Sequence, residues 1–198
     1  MNTKSKKEIF IVLPAFGEGK VIGEVISNIF AEGYKNIIVV DDGSKDDTNN
    51  QAKLAGAIVI RHLINRGKGA ATQTGLDAAK KLGADFVVTM DSDGQHDPKD
   101  IEVLVSALEL NEIDVALGSR LTRYSEDMPI ARKSANVVGN IVTFLFYGIY
   151  VSDSQSGFRA YNRKALELIK TQFDRYEFES EVLHQIYLKK LILICLIV

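Results

Sequence analysis

Two carboxylates separated by one residue end an apolar run in the segment VVTMDSDGQHDPKD, residues 87–100. They are Asp91 and Asp93, and burying such a pair at a strand end is costly unless a cation joins them. Proteins commonly hold Mg²⁺ with one or two carboxylates together with substrate phosphates, and Mn²⁺ suits the same ligands. We therefore predict that Asp91 and Asp93 bind Mg²⁺ or Mn²⁺ together with a nucleoside diphosphate.

Three other loops carry side chains that suit a nucleotide. VVDDGSKDDT contains Asp41 and Asp42, for which we favour ligand contact over capping of the turn. LPAFGEG contains Glu18, whose carboxylate can accept hydrogen bonds from a base or ribose. HLINRGKGAA places Lys68 among glycines before a helix, which suits a phosphate, although a solvated basic loop is nearly as consistent.

An alternation of strands and helices would bring these loops together. The predicted strands are 9–13, 36–40, 57–61, 85–90 and 114–118. Their apolar residues are continuous, as in strands buried on both faces. Helical stretches lie between them; Ser44 and Asp47 have capping-box spacing and predict one helix start. The pattern predicts an α/β domain with a mainly parallel sheet, whose ligands bind beyond the carboxyl ends of the strands.

After residue 125 the pattern changes. The segment 129–151 is a long helical candidate, and its apolar end 141–151 either packs on the sheet or lies on a membrane surface. A polar loop then precedes a short strand, FRAY, and helices are predicted over 162–171 and 175–190. The final LILICLIV is predicted to be a buried strand or the start of a longer segment.

Composition narrows the class of protein. The 198 residues fit a single domain, and the net charge of −2 does not indicate nucleic-acid binding. The single cysteine, Cys195, excludes an intrachain disulfide. No apolar run reaches the ~20 residues needed to span a bilayer, and the N-terminus lacks a signal-peptide cleavage pattern. We expect a cytoplasmic protein without a transmembrane helix.

Six segments occur in the order and approximate spacing seen in family 2 glycosyltransferases of the GT-A fold. They are LPAFGE, VVDDGSKDDT, NRGKGAA, MDSDGQHDP, GSR and DSQSGFRAY. Over about residues 8–190 the chain most closely resembles dolichyl- and polyprenyl-phosphate mannosyl- and glucosyltransferases. The resemblance implies a Rossmann-like, three-layer α/β sandwich with a mainly parallel mixed sheet.

The resemblance also implies a reaction. It is the metal-dependent, inverting transfer of mannose or glucose from a GDP- or UDP-sugar to a polyprenyl or dolichyl phosphate, at the cytoplasmic face of a membrane. A glycosyltransferase that acts on a sugar hydroxyl and a non-catalytic nucleotide-sugar-binding module remain alternatives. A nucleotidyltransferase or an NAD-dependent oxidoreductase fits less well, because Pro14 and Glu18 stand where a glycine-rich phosphate loop is needed.

The resemblance assigns roles on the donor side and on the acceptor side. The expected nucleotide contacts are Pro14, Glu18 and Asp42 with Asp41 beside them, and the expected diphosphate and metal residues are Asp91, Asp93 and Gln95. Arg120 and Arg132 are expected to meet the acceptor phosphate. Asp153 falls where related enzymes place a catalytic or acceptor-side carboxylate, and Arg159 is expected to hold its loop.

Other polar residues near these motifs are assigned to the scaffold. His96 is predicted to be structural rather than a metal ligand. The acidic residues of YEFESEVL, Glu177, Glu179 and Glu181, would form a solvated helix face in most proteins. The family resemblance adds the alternative that one of them faces the site.

Two positions depart from the family pattern. Relatives usually have Asn before the first-motif glutamate, where this chain has Gly17, so one polar contact is expected to be missing. Relatives also usually continue beyond the position of Val198. The single domain 1–198 is therefore expected to be truncated, or to end in a replacement segment.

Overall fold

The computed structural model describes residues 7–110, 112–119, 156–171 and 177–198. The strands within these residues are β1 (Ile9–Ala15), β2 (Asn36–Asp41), β3 (Ile58–Arg61), β4 (Phe86–Thr89), β5 (Val115–Ser119), β6 (Arg159–Asn162) and β7 (Leu193–Ile197). The helices are α1 (Ile22–Ala31), α2 (Thr48–Leu54), α3 (Lys68–Lys81), α4 (Asp100–Glu109), α5 (Arg163–Leu168) and α6 (Glu177–Leu188).

The strands of this part of the chain form one mixed sheet in the order β3-β2-β1-β4-β6-β5-β7. All pairs are parallel except those of β6, which is antiparallel to both β4 and β5. The mainly parallel mixed sheet expected from the sequence is confirmed. Because β2, β1 and β4 are neighbours with the same direction, the loops that follow them meet at one edge of the sheet.

Helices cover both faces of the sheet, which gives three layers. Strand β1 shows the division, because Ile11 and Leu13 pack with α1 and α4 on one face, whereas Phe10 and Val12 pack with α3 on the other. All four side chains are buried. Burial on both faces explains why the strand has a continuous apolar run instead of an alternating one.

The two edge strands differ from the sequence prediction. Strand β3 was predicted to be buried on both faces, but Ile58 and Arg61 at its ends are exposed because β3 pairs with β2 alone. The C-terminal run does form a strand, β7, which pairs with β5. This strand is only half-buried, and Ile197 remains 70% exposed.

The predicted helix start at Ser44 is wrong. Helix α2 begins at Thr48, and neither Ser44 nor Asp47 caps it through its side chain. The Ser44 hydroxyl instead accepts a hydrogen bond from the backbone N–H of Gly17, at 3.0 Å. A long-range contact between two loops has therefore replaced the local one.

The described residues bear on only one of the two expectations about a membrane. The helical candidate 129–151 lies outside the described residues. Of the helices in the described ranges, none has the length and apolar character to cross a bilayer.

Helix α3 approaches the sheet closely at Gly75. A Cβ atom there would lie 2.2 Å from Val12 Cγ1, and both valine methyls are fixed in the core. We predict that Gly75→Ala lowers the free energy of unfolding by about 1–3 kcal/mol through overpacking, despite the better helix propensity of alanine. Chemical denaturation would measure the change.

Gly23→Ala is the matched control, because no atom lies within 4 Å of the added Cβ in helix α1. We expect this variant to be unchanged or more stable by up to about 1 kcal/mol. Equal stability of the two variants would show that α3 can move away from β1 without cost.

Candidate functional site

A cavity of about 550 Å³ opens at the carboxyl ends of β1, β2 and β4. Its lining residues are Pro14, Ala15, Phe16, Glu18, Asp42, Asn65, Gly67, Lys68, Ala71, Asp91, Ser92 and Asp93. Six of the residues predicted from the sequence therefore share one cavity. The volume lies in the range of small-molecule sites, which is about 300–1,000 Å³.

Asp91 is paired with a cation at the floor of this cavity. Its Oδ1 lies 2.6 Å from Lys68 Nζ, and its Oδ2 lies 3.7 Å from Nε2 of the buried His96. Burial by itself raises the pKa of Asp91, but the His96 imidazole and the Lys68 ammonium lower it well below its usual range. Asp91 is therefore an ionised carboxylate whose charge is already compensated by the protein.

His96 supports this carboxylate from beneath. Its side chain is 2% exposed, and its ring lies against Phe158 with the ring centroids 4.6 Å apart. Packing against Phe158 fixes the position of the imidazole beside Asp91. A structural role for His96 stays a prediction.

A second buried carboxylate, Glu179 of helix α6, reaches the same lysine. Glu179 Oε1 lies 3.6 Å from Lys68 Nζ, and its Oε2 lies 2.8 Å from Arg159 Nη2. Arg159 is 1% exposed and also donates from Nε to the carbonyl of Ser156, at 2.9 Å. Opposite charges thus alternate from Asp91 through Lys68 and Glu179 to Arg159.

The position of Glu179 contradicts the expected solvated helix face. Glu177 is exposed as predicted, but Glu179 is 7% exposed. The burial of Glu179 could have been predicted from the sequence, because Glu179 precedes the buried Val182 and Leu183 by three and four residues. It therefore stands on the apolar stripe of the helix, where a carboxylate needs a cationic partner.

The segment SGF, residues 156–158, passes close to this charged pair. A Cβ atom at Gly157 would lie 2.7 Å from Asp91 Oδ1 and 2.7 Å from Lys68 Nζ. The Gly157 carbonyl accepts a hydrogen bond from the Thr89 hydroxyl at 2.8 Å. Glycine is needed here because the backbone passes directly over the Asp91–Lys68 ion pair.

Asp42 lines the cavity but also organises the loop that precedes α3. Its Oδ1 accepts from the backbone N–H of Arg66 at 2.9 Å, and its Oδ2 accepts from that of Gly67 at 2.7 Å. His62 Nδ1 lies 2.7 Å from the same carboxylate, and His62 Nε2 lies 3.0 Å from Thr74 Oγ1 in α3. Asp42 therefore fixes the backbone that leads to Lys68, and its contact with a nucleotide stays a prediction.

Asp41 has a different environment. Its side chain is fully buried, does not line the cavity, accepts from the backbone N–H of Ser44 at 2.9 Å, and lies 3.3 Å from Arg61 Nε. Adjacent residues of a strand point to opposite faces, so only one aspartate of the pair can face the cavity. The geometry supports ligand contact for Asp42 and not for Asp41.

The loop after β1 is fixed by side chains from two neighbouring loops. The backbone N–H of Glu18 donates to Thr48 Oγ1 at 2.9 Å, and the Ser92 hydroxyl donates to the Pro14 carbonyl at 2.8 Å. Burial, followed by the nearby charges of Asp93 and Asp46, raises the pKa of Glu18. The cavity mouth therefore concentrates negative charge, which favours binding of a cation.

Asp91 and Asp93 could give a divalent metal two carboxylate ligands, and water or substrate phosphates would fill its remaining positions. Asp93 is exposed at the cavity and accepts from the backbone N–H of Gln95 at 3.0 Å. Gln95 does not line the cavity. Across the described ranges, no group of three or more His, Cys, Asp or Glu residues is arranged to hold a metal. Two carboxylates completed by substrate phosphates are the usual protein contribution to a Mg²⁺ site.

The acceptor-side residues predicted from the sequence are not among the described residues. Arg120, Arg132 and Asp153 fall outside the described residues. Their roles stay predictions.

Comparison with known proteins identifies the family. The family model of glycosyl transferase family 2 matches residues 10–169. The chain is 40% identical over 198 residues to UDP-N-acetylglucosamine–dolichyl-phosphate N-acetylglucosaminyltransferase of Methanococcus voltae, covering 89% of this chain and 79% of that one. It is 32% identical over 168 residues to polyprenol monophosphomannose synthase of Mycolicibacterium smegmatis, covering 80% of this chain and 63% of that one.

A solved structure extends the similarity to the fold. Glucosyl-3-phosphoglycerate synthase of Mycobacterium tuberculosis, in complex with Mn²⁺, UDP and glucosyl-3-phosphoglycerate, superposes with a TM-score of 0.71 and 27% identity. The match covers 97% of this chain and 71% of that one. These findings agree with the three-layer fold and with the cavity at the strand ends. The chain belongs to glycosyl transferase family 2 and is a glycosyltransferase with the GT-A fold.

Proposed function

We propose that the protein transfers a sugar from a UDP-sugar to a polyprenyl phosphate, with inversion at the anomeric carbon and with Mg²⁺ or Mn²⁺ as cofactor. The observation that carries the proposal is the arrangement of charges in the cavity. Glu18 and Asp42 lie on the side of β1 and β2, whereas Lys68, Asp91 and Asp93 lie beside β4. This arrangement suits a nucleotide whose nucleoside lies near Glu18 and Asp42 and whose diphosphate lies near Lys68 and the two aspartates beside β4.

The comparisons favour UDP over GDP as the nucleotide of the donor. The M. voltae relative is named for a UDP-sugar, and the M. tuberculosis structure holds UDP. The M. voltae relative is also named for transfer of N-acetylglucosamine, which adds an acetamido sugar to the mannose and glucose expected from the sequence. The donors to compare are therefore UDP-N-acetylglucosamine, UDP-glucose and GDP-mannose.

Asp91 and Asp93 would hold the metal together with the donor diphosphate, and Gln95 is the further ligand expected from the family resemblance. When bound, the ion neutralises the charge that develops on the leaving diphosphate. Lys68 would add a point charge on the same group, since its ammonium is already directed into the cavity.

The acceptor decides whether a general base is needed. A polyprenyl phosphate is ionised at neutral pH, so its oxygen can attack the anomeric carbon without losing a proton. Arg120 and Arg132 would orient the phosphate and compensate its charge. Asp153 would act as a base only if the acceptor were a sugar hydroxyl. Two relatives are named for dolichyl-phosphate or polyprenol products, which favours the phosphate and a membrane surface as the site of action.

Asp93→Asn tests the proposed donor site. We predict that purified protein releases UDP from a UDP-sugar only when Mn²⁺ and a short polyprenyl phosphate are both present, and that Asp93→Asn lowers kcat/KM by about 10²-fold or more. Asp97→Asn is the matched control, because Asp97 lies in the same loop, does not line this cavity and accepts from the backbone N–H of Lys99. Transfer to a sugar hydroxyl, with none to polyprenyl phosphate, would contradict the proposed acceptor.

Gly157→Ala tests whether the space around Asp91 and Lys68 matters for the reaction. The added methyl group collides with both ends of the pair, and Lys68 can move aside because its side chain is flexible. We predict a fold that remains intact by circular dichroism, with kcat/KM reduced about 10- to 100-fold through displaced groups. Wild-type activity in Gly157→Ala would mean that the observed position of Lys68 does not matter for the reaction.

A further inference from the structure

Lys68 lies between two carboxylates that differ in their surroundings. Its ammonium is 2.6 Å from Asp91 and 3.6 Å from Glu179. With two carboxylates within ion-pair distance, the Lys68 ammonium is their shared counter-ion. The Lys68 side chain keeps 40% exposure, which leaves it room to move between these partners.

Asp91 cannot keep this contact unchanged and also bind a metal. A divalent ion at Asp91 Oδ1 would lie next to the Lys68 ammonium, and two cations that close repel each other. The lysine must therefore withdraw from Asp91 when a metal arrives.

Glu179 offers Lys68 a second position that does not depend on Asp91. The Glu179 carboxylate is bound to the buried Arg159 at 2.8 Å, and Arg159 is in turn held by the Ser156 carbonyl. A carboxylate fixed in this way stays in place while the flexible lysine moves. Its distance of 3.6 Å shows that only a short displacement is needed.

We propose that Lys68 is an exchangeable counter-ion. In the donor-free protein it neutralises Asp91 and suppresses binding of a free metal ion; when metal and nucleoside diphosphate bind together, Lys68 leaves Asp91, is retained by Glu179 and faces the diphosphate. Glu179 is thus a positioning residue that acts through Lys68. The inference takes both its metal and its diphosphate from the proposed function, but Mn²⁺ binding is measured apart from sugar transfer, so the two proposals can fail separately.

The first experiment measures Mn²⁺ binding without nucleotide, by electron paramagnetic resonance of the free ion. We predict that Lys68→Met binds Mn²⁺ about tenfold more tightly than the wild type, because a competing cation has been removed. Lys80→Met, in the last turn of the same helix, should leave the affinity unchanged. Unchanged, weaker or unmeasurable Mn²⁺ binding in Lys68→Met would overturn the proposal.

The second experiment measures UDP binding in the presence of saturating Mn²⁺, by calorimetry. Lys68→Met and Glu179→Gln should each weaken UDP about tenfold, and Glu177→Gln, at the exposed neighbouring position of α6, should not. If Lys68 is an exchangeable counter-ion, Lys68→Met raises the affinity for Mn²⁺ alone and lowers the affinity for UDP. A structural defect in the variant would lower both affinities.

A double-mutant cycle decides whether Glu179 acts through Lys68. We expect Glu179→Gln to have no further effect on UDP affinity in a Lys68→Met background. An equal tenfold loss in that background would show that Glu179 acts through Arg159 or the fold, and would overturn the positioning role. If the wild type binds neither UDP nor GDP with Mn²⁺, the proposed function fails, while the Mn²⁺ experiment still decides whether Lys68 competes with metal.

Discussion

The site depends on keeping ionised carboxylates together at one edge of a sheet, where they repel each other and are partly removed from water. Asp91 is ionised only because Lys68 and His96 offset its burial. The need to compensate these charges involves residues farther from the cavity as well. Lys68 is shared with Glu179, Glu179 is bound to Arg159, and Gly157 must lack a side chain for the backbone to pass over the pair. Much of the sequence around the cavity therefore serves charge compensation.

The loops that carry these residues also hold one another. Ser92 binds the Pro14 carbonyl, Ser44 binds the N–H of Gly17, and Asp42 binds the backbone at Arg66 and Gly67. Each contact joins the loop after one strand to a loop that precedes or follows another element, so their relative positions are fixed by the protein alone. A ligand that binds such a preformed cavity has less conformational entropy to overcome.

Sequence reasoning succeeded where the signal is repeated along the chain. Strand β1 was predicted correctly because its continuous apolar run reports local structure directly. It failed where a single side chain chooses between local and distant partners. Ser44 had the spacing of a helix cap but binds Gly17. Glu179 was assigned to solvent because its cationic partners, Lys68 and Arg159, are distant in sequence and adjacent only after folding.

The single reversed strand has a consequence for how this fold diversifies. Strand β5 leaves the sheet at Ser119 and β6 enters it near Arg159, and the register places Leu117 opposite Arg159. Because the two strands are antiparallel neighbours, the 39 residues of the segment 120–158 begin and end at the edge that holds the cavity. At the end of that segment, Gly157 lies against the Asp91–Lys68 pair and Phe158 packs in the core, so changes at these two positions would disturb the donor side. The connection before them can differ in length among proteins with this fold while β5 and β6 keep their pairing.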